Sequence, residues 1–243
     1  FRRVGTSASI SSFRLTYLIV AVLMGLSLVI SGSMKSKAVN EGRRQRLYFR
    51  KKYFKFYMLE VFYGARKQIF LTFAPYVIIL HYGADTSSIS LLLAISALCS
   101  IFCSPLIGKL IDRLGYKTIM VADTIVLVFV CILYGFSHRI FAPNVAFIVV
   151  CVNFVLDTVI SLASMATNVY VRNISDSQEE LTATLTTGIS VNHLISIIIA
   201  FFGGYIWQVV GIELLFIISA VLGLFNSLFA ATVPSVKKKK AIA

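Results

Sequence analysis

Residues 87–107 read SSISLLLAISALCSIFCSPLI, residues 108–117 read GKLIDRLGYK, and residues 118–136 read TIMVADTIVLVFVCILYGF. Two apolar runs thus flank ten residues rich in charge and glycine. About 20 apolar residues are what a helix needs to cross about 30 Å of hydrocarbon. Working outward, the same unit recurs in both directions. Leu15–Gly32, Phe56–Tyr82, Ser87–Ile107, Thr118–Phe136, Val145–Ala166, Leu185–Val209 and Ile212–Val233 make seven candidate spans. No ten-residue alternating pattern recurs, and lipid offers no partner to unpaired backbone groups. The spans therefore read as helices and the fold class as an all-α membrane protein.

Composition points the same way. The 243 residues are 58% hydrophobic and 14% charged, with mean hydropathy +0.87, whereas soluble domains run to about half apolar and a quarter charged. A net charge of +13 would suggest a nucleic-acid partner in a soluble protein. Here the basic residues gather between apolar runs, so the charge reads as membrane orientation and no nucleic-acid partner is expected. Ser33–Lys55 carries nine Lys and Arg, the 108–117 stretch three, the connection before Leu185 only Arg172, and Lys237–Lys240 four. The alternate connections hold only Arg139. The positive-inside rule then places the linker and the C-terminus in the cytoplasm, with Arg2, Arg3 and Arg14 running against it.

The resulting layout is an extracytoplasmic remnant at 1–14, a span at 15–32, a basic cytoplasmic linker at 33–55, a six-helix bundle at 56–234 and a basic tail at 235–243. A start at Phe1 without an apolar leader reads as a piece of a longer chain. Cys99, Cys103, Cys131 and Cys151 all lie in apolar runs, where a thiol is a small hydrophobe, so no disulfide is expected. Asn173-Ile174-Ser175 fits a glycosylation acceptor, but its placement inside predicts that it stays unmodified. In the linker, Tyr48, Phe49, Tyr53 and Phe54 interleave with basic residues. Such a segment either lies on an anionic leaflet or is a solvated connection that fixes topology.

The stretch Gly108-Lys109-Leu110-Ile111-Asp112-Arg113-Leu114-Gly115-Tyr116-Lys117 resembles the G-x-L-x-D-R-x-G-x-K loop of the major facilitator superfamily, which follows the second helix of each six-helix half. The resemblance implies that the first span is family helix six, that 33–55 is the central linker, and that the remaining six spans form the C-terminal half. An N-terminal six-helix half would be its partner. It further implies that Asp112 and Arg113, with Gly108, Gly115 and Lys117, latch one side of the molecule in one of two states. Physically, a tight reversal suits Gly108 and Gly115, and fixed charges suit a helix end.

Intramembrane polar residues are expensive and turn toward a cavity or a partner. On the fifth span Asn153, Asp157, Ser161, Ser164 and Asn168 fall on one helical stripe. Asp157 is the first candidate for a protonated or solute-contacting group, with a structural hydrogen bond as the alternative. On the second span Glu60 and Lys67 share a face and form a neutral pair or meet an anionic solute, Gln68 lies beside them, and Arg66 points about 120° away. Snorkelling of Arg66 and Lys67 to the surface is the alternative. The resemblance makes these two spans cavity-lining ones. On the sixth span Thr184, Gly188, Asn192 and Ser196 recur every four residues, a spacing that suits close helix packing, with His193 as a possible proton relay. Asp123 is expected to pair with Lys109 or Lys117.

No phosphate-binding G-x-x-x-x-G-K-[ST], no H-E-x-x-H, no G-x-S-x-G and no zinc-spaced Cys/His set occurs, so no enzyme activity, cofactor or metal is expected. The expectation is secondary active transport of a small solute by alternating access, coupled to an ion, with the proton favoured. A seven-helix receptor and a transporter-like sensor or scaffold are the rivals.

Overall fold

The computed structural model describes residues 10–33 and 47–234, which divide between two compact units, Phe1–Arg44 and Gln45–Ala243. In the first unit the described part is one helix, α1 (Ile10–Ser33), whose shorter apolar stretch is Tyr17–Ser33. The second unit holds a 3-10 turn (Lys51–Tyr53) and seven helices: α2 (Phe54–Tyr82), α3 (Thr86–Leu114), α4 (Tyr116–Ile140), α5 (Pro143–Ser161), α6 (Met165–Ile174), α7 (Gln178–Val209) and α8 (Ile212–Ala231). Among the described residues there is no strand. The linker residues 34–46 and the tail 235–243, read above as cytoplasmic, lie outside the described residues.

This is an all-α membrane fold. By length and composition five segments can each cross a bilayer: α3, α4, α5 continued through α6, α7 and α8. The 29 residues of α2 would reach about 44 Å at 1.5 Å per residue, but α2 carries Glu60, Arg66 and Lys67 and falls short on composition. Its charges need protein partners, and the bundle supplies them.

Short connections join the successive spans. Gly83 closes α2 in the left-handed conformation (φ 68°), with its N–H donating to Ile79 O at 3.0 Å. Asp85 then caps α3, accepting from Ser88 N at 2.9 Å and from the Ser87 and Ser88 hydroxyls at 2.6 and 2.7 Å. These donors, Ser87 first, hold its carboxyl down to about 2. Pro143 starts α5, where its missing N–H is not needed.

Around the bundle α7 packs on α2, α2 on α8, α8 on α4, α4 on α5 and α5 on α3, with α2 also touching α5. Two apolar layers result. The layer near the linker joins Tyr53, Phe56, Tyr116, Ile119, Ala166 and Tyr170. The layer near the opposite end is built on Phe70, Tyr134 and Phe216, whose rings lie 5.0 to 5.6 Å apart.

Three sequence expectations change. The fifth span is longer than Val145–Ala166, running from Pro143 to Ile174 through a 3-10 turn at Leu162–Ser164 that alters the phase of its polar stripe. The 108–117 stretch is mostly helix, since α3 continues to Leu114 and the reversal falls on Gly115 alone (φ 85°). Gly108 sits inside α3 and supplies no turn geometry. Finally, the linker segment Leu47–Tyr53 is neither a free connection nor wholly a surface strap. Tyr48 and Tyr53 are buried in the core, at 8% and 0% exposure, while Phe49 and Phe54 stay outside.

Candidate functional site

Between the two apolar layers lies a polar waist. On α2 it falls between Leu59 and Ile69 and on α4 between Met120 and Leu127, while on α5 Asp157 reaches it from between Phe154 and Ile160 of the second layer. Three charged side chains meet there, Arg66 from α2, Asp123 from α4 and Asp157 from α5, while Glu60 and Lys67 on the same stretch of α2 lie apart from them.

Arg66 is 4% exposed. Its Nη1 donates to Asp123 Oδ2 at 2.8 Å, and its Nη2 stands 3.8 Å from Asp157 Oδ1. Asp123 also accepts from Thr124 Oγ1 at 3.3 Å. Arg66 Nη2 and Asp157 Oδ1 are buried without a hydrogen-bond partner. The first carboxylate is bonded and the second is only near. With both ionised the cluster carries one negative charge, and one added proton makes it neutral. In a low-dielectric interior that one charge is the largest electrostatic difference the site can express.

A small cavity of about 20 Å³ opens beside Asp123, lined also by Tyr63, Ser164, Thr167 and Asn226. That volume and that polar lining suit a single water. Thr167 and Asn226 were not singled out in the sequence.

This geometry corrects several expectations. Asp123 pairs with Arg66, not with Lys109 or Lys117. The sequence held part of that answer, because Lys117 lies six residues from Asp123, about 120° off its face on a 3.6-residue helix. Arg66 does not snorkel, being buried between carboxylates, whereas Lys67 is exposed. Glu60 and Lys67 form no ion pair among the described residues. Glu60 Oε2 instead accepts from Asn192 Nδ2 at 3.2 Å, across the α2–α7 contact.

That contact is close. A Cβ at Gly64 would meet Asn192 O at 2.8 Å, a Cβ at Gly188 would run into the Phe56 ring, and Ser196 Oγ donates to Gly64 O at 3.4 Å. The four-residue spacing on α7 is thus a packing face. His193, next to buried Asn192, is exposed on another face of α7 and does not join the cluster.

The remaining candidates scatter. Asn153 is buried and donates to Val130 O at 2.9 Å, binding α5 to α4. Ser161 donates to Asp157 O at 2.9 Å, and Gln68 to Thr72 Oγ1 at 2.7 Å, each within its own helix. Asp112 and Arg113 occupy the last turn of α3, exposed, and Lys117 the first turn of α4. Among the described residues none of these three has an ion-pair partner. Tyr116 between them is buried and donates to Pro234 O at 2.5 Å.

The family model described as Major Facilitator Superfamily matches residues 56–243. Comparison with curated proteins finds no match for the chain.

Proposed function

This chain belongs to the major facilitator superfamily of membrane transporters, and from that premise we propose that it moves a small solute by alternating access, coupled to protons at the Arg66–Asp123–Asp157 cluster. The membership turns the reading away from a seven-helix receptor and from an enzyme. The observation that carries the proton reading is the unequal sharing of one buried guanidinium between two carboxylates, with a polar atom on each side of the longer contact left without a hydrogen bond.

An Arg that cannot give up its proton fixes one positive charge. Asp123 neutralises it at 2.8 Å. Asp157 is then a third charge without a full partner, and its proton is what makes the waist neutral. Releasing that proton requires water to reach the carboxylate, so protonation and opening of the bundle toward water are tied together. Glu60 is a second candidate for the same role, and His193 a third that would act only against the N-terminal half. Lys67, exposed beside the cluster, suits an anionic or zwitterionic solute, with Gln68 and Asn192 near it.

In this reading the linker end faces the cytoplasm, as the Lys and Arg distribution favours. Asp112, Arg113 and Lys117 project at that end toward the N-terminal half, where they latch the closed state.

The test is uptake by the full-length protein in vesicles with and without an imposed proton gradient. Asp157→Asn is expected to abolish gradient-driven accumulation while preserving solute exchange across the membrane at equal pH. Accumulation at the wild-type level in that variant sinks the assignment.

A further inference from the structure

We propose that the groove formed by Phe49, Arg50, Lys51, Phe54 and Tyr57 binds the anionic headgroup and upper chain region of a membrane phospholipid. The inference is independent of how transport is coupled.

Two buried tyrosines, Tyr48 and Tyr53, anchor the segment that carries the groove. Tyr48 N–H donates to Thr187 Oγ1 at 2.9 Å, and its hydroxyl donates to Glu180 Oε1 at 3.0 Å. Tyr53, wholly buried, donates to Ser175 Oγ at 3.2 Å. Tyr57 OH donates to the Tyr48 carbonyl, and Lys52 is bound to Asp176 at 2.6 Å. The six residues Tyr48 to Tyr53 are thereby pinned at both ends. Of the side chains between the two ends Lys52 joins the pinning, while Phe49, Arg50 and Lys51 stand outward and exposed.

What faces outward is amphipathic. Phe49 and Phe54 are 61% and 57% exposed. Phe49 touches Tyr57 edge-on at 5.2 Å, and Phe54 touches Phe229, near the end of α8, at 6.3 Å. Arg50 lies over the Tyr48 ring at 4.8 Å and comes only within 3.6 Å of Glu180, which leaves its guanidinium at the rim. Lys51 is exposed and without an ion-pair partner among the described residues. Together these side chains line an open groove of about 530 Å³.

Two cations alone would serve a free phosphate. Two exposed phenylalanines beside them would serve nothing in water, where their exposure is unfavourable. Both features are used at once only at the boundary of a bilayer, where aromatic rings favour the headgroup level and cations meet anionic lipid. The groove lies at that level, because Phe54 is the first residue of α2 and its ring neighbour Phe229 closes α8.

The full-length protein, stripped of lipid in detergent, is offered phosphatidylglycerol, phosphatidylcholine or inorganic phosphate, and bound mass is read by native mass spectrometry. The anionic lipid is expected to be retained in preference to the zwitterionic one. Arg50→Gln with Lys51→Gln is expected to lower its occupancy by roughly fivefold per neutralised cation. Phe49→Ala with Phe54→Ala is expected to weaken phospholipid retention and to leave phosphate unaffected. These side chains are exposed, so thermal midpoints should stay at the wild-type value. A photo-crosslinking residue at position 49 is expected to label lipid. Equal retention of phosphatidylcholine, wild-type occupancy in the Arg50→Gln and Lys51→Gln variant, displacement of lipid by phosphate, or labelling of protein from position 49 would each overturn the proposal.

Discussion

The Arg66 waist and the linker clamp use the same chemistry, carboxylates with basic partners, and use it in opposite ways. At the clamp, Glu180 accepts from the Tyr48 hydroxyl at 3.0 Å and from Asp176 N at 3.0 Å, with Arg50 and Lys52 within 4 Å. Ser177 caps the same helix by accepting from Glu180 N at 3.1 Å. Nearly every acceptor there has its donor, and Lys52 and Arg50 lie partly in solvent. At the waist the charges are deeper and less completed, because Asp157 has only a guanidinium 3.8 Å away. A satisfied carboxylate at a helix start is how a fold is held together. An incompletely satisfied one in the bilayer interior is costly, and its proton state changes the charge of the whole site.

Three substitutions sharpen that contrast. The largest effect is expected from Arg66→Met, which leaves two buried carboxylates without their cation and should lower stability by about 3–5 kcal/mol. Adding Asp123→Asn should restore part of the loss, because one of the two stranded charges is removed with it. Thermal unfolding of the purified full-length protein measures both, and a wild-type midpoint for Arg66→Met would show that the waist is hydrated and already screened. Gly64→Ala comes next. Its Cβ would press on the Asn192 backbone, which cannot swing away as a side chain can, so a loss of about 1–3 kcal/mol is expected together with separation of Asn192 from Glu60. Unchanged stability would mean that α7 slides freely on α2.

The smallest effect belongs to the clamp. Its hydrogen bond to Asp176 holds the Lys52 ammonium above its ordinary range. The contribution of a raised Lys is present at all pH values below its unfolded value of about 10.4 and is lost only as pH rises through the folded one. Glu180, held below its ordinary range first by the Asp176 N–H, contributes above its unfolded value of about 4.3 and loses that contribution as pH falls through the folded one, so the clamp should hold unchanged around neutral pH and weaken only in acid. Lys52→Gln should shift the thermal midpoint slightly at low salt and not at all at high salt, since the pair is exposed and screened. A large shift would make the clamp, rather than the waist, the sensitive element.

Much of the fold was legible because lipid is a severe solvent. Apolar length and the absence of alternation leave helices as the consistent reading, and Gly115 marks its own reversal because few other residues accept φ near 85°. The site was legible in halves. Asp157 and Arg66 stand out as ionisable residues in apolar runs, but Asp123 was matched to the wrong partner, since Lys109 and Lys117 are near in sequence while Arg66 is near in space. Tyr48 and Tyr53 were invisible as core residues, being embedded in a run of cations that reads as surface.

The order of residues alone determined that this chain enters a membrane as helices, roughly where each begins, and which side chains would be expensive there. Only the packing of α2 against α4 and α5 decided that one arginine answers two aspartates. Hydrophobic transfer acts residue by residue and is written along the chain, whereas ion pairing depends on distances of a few ångströms between helices that sequence separation does not encode.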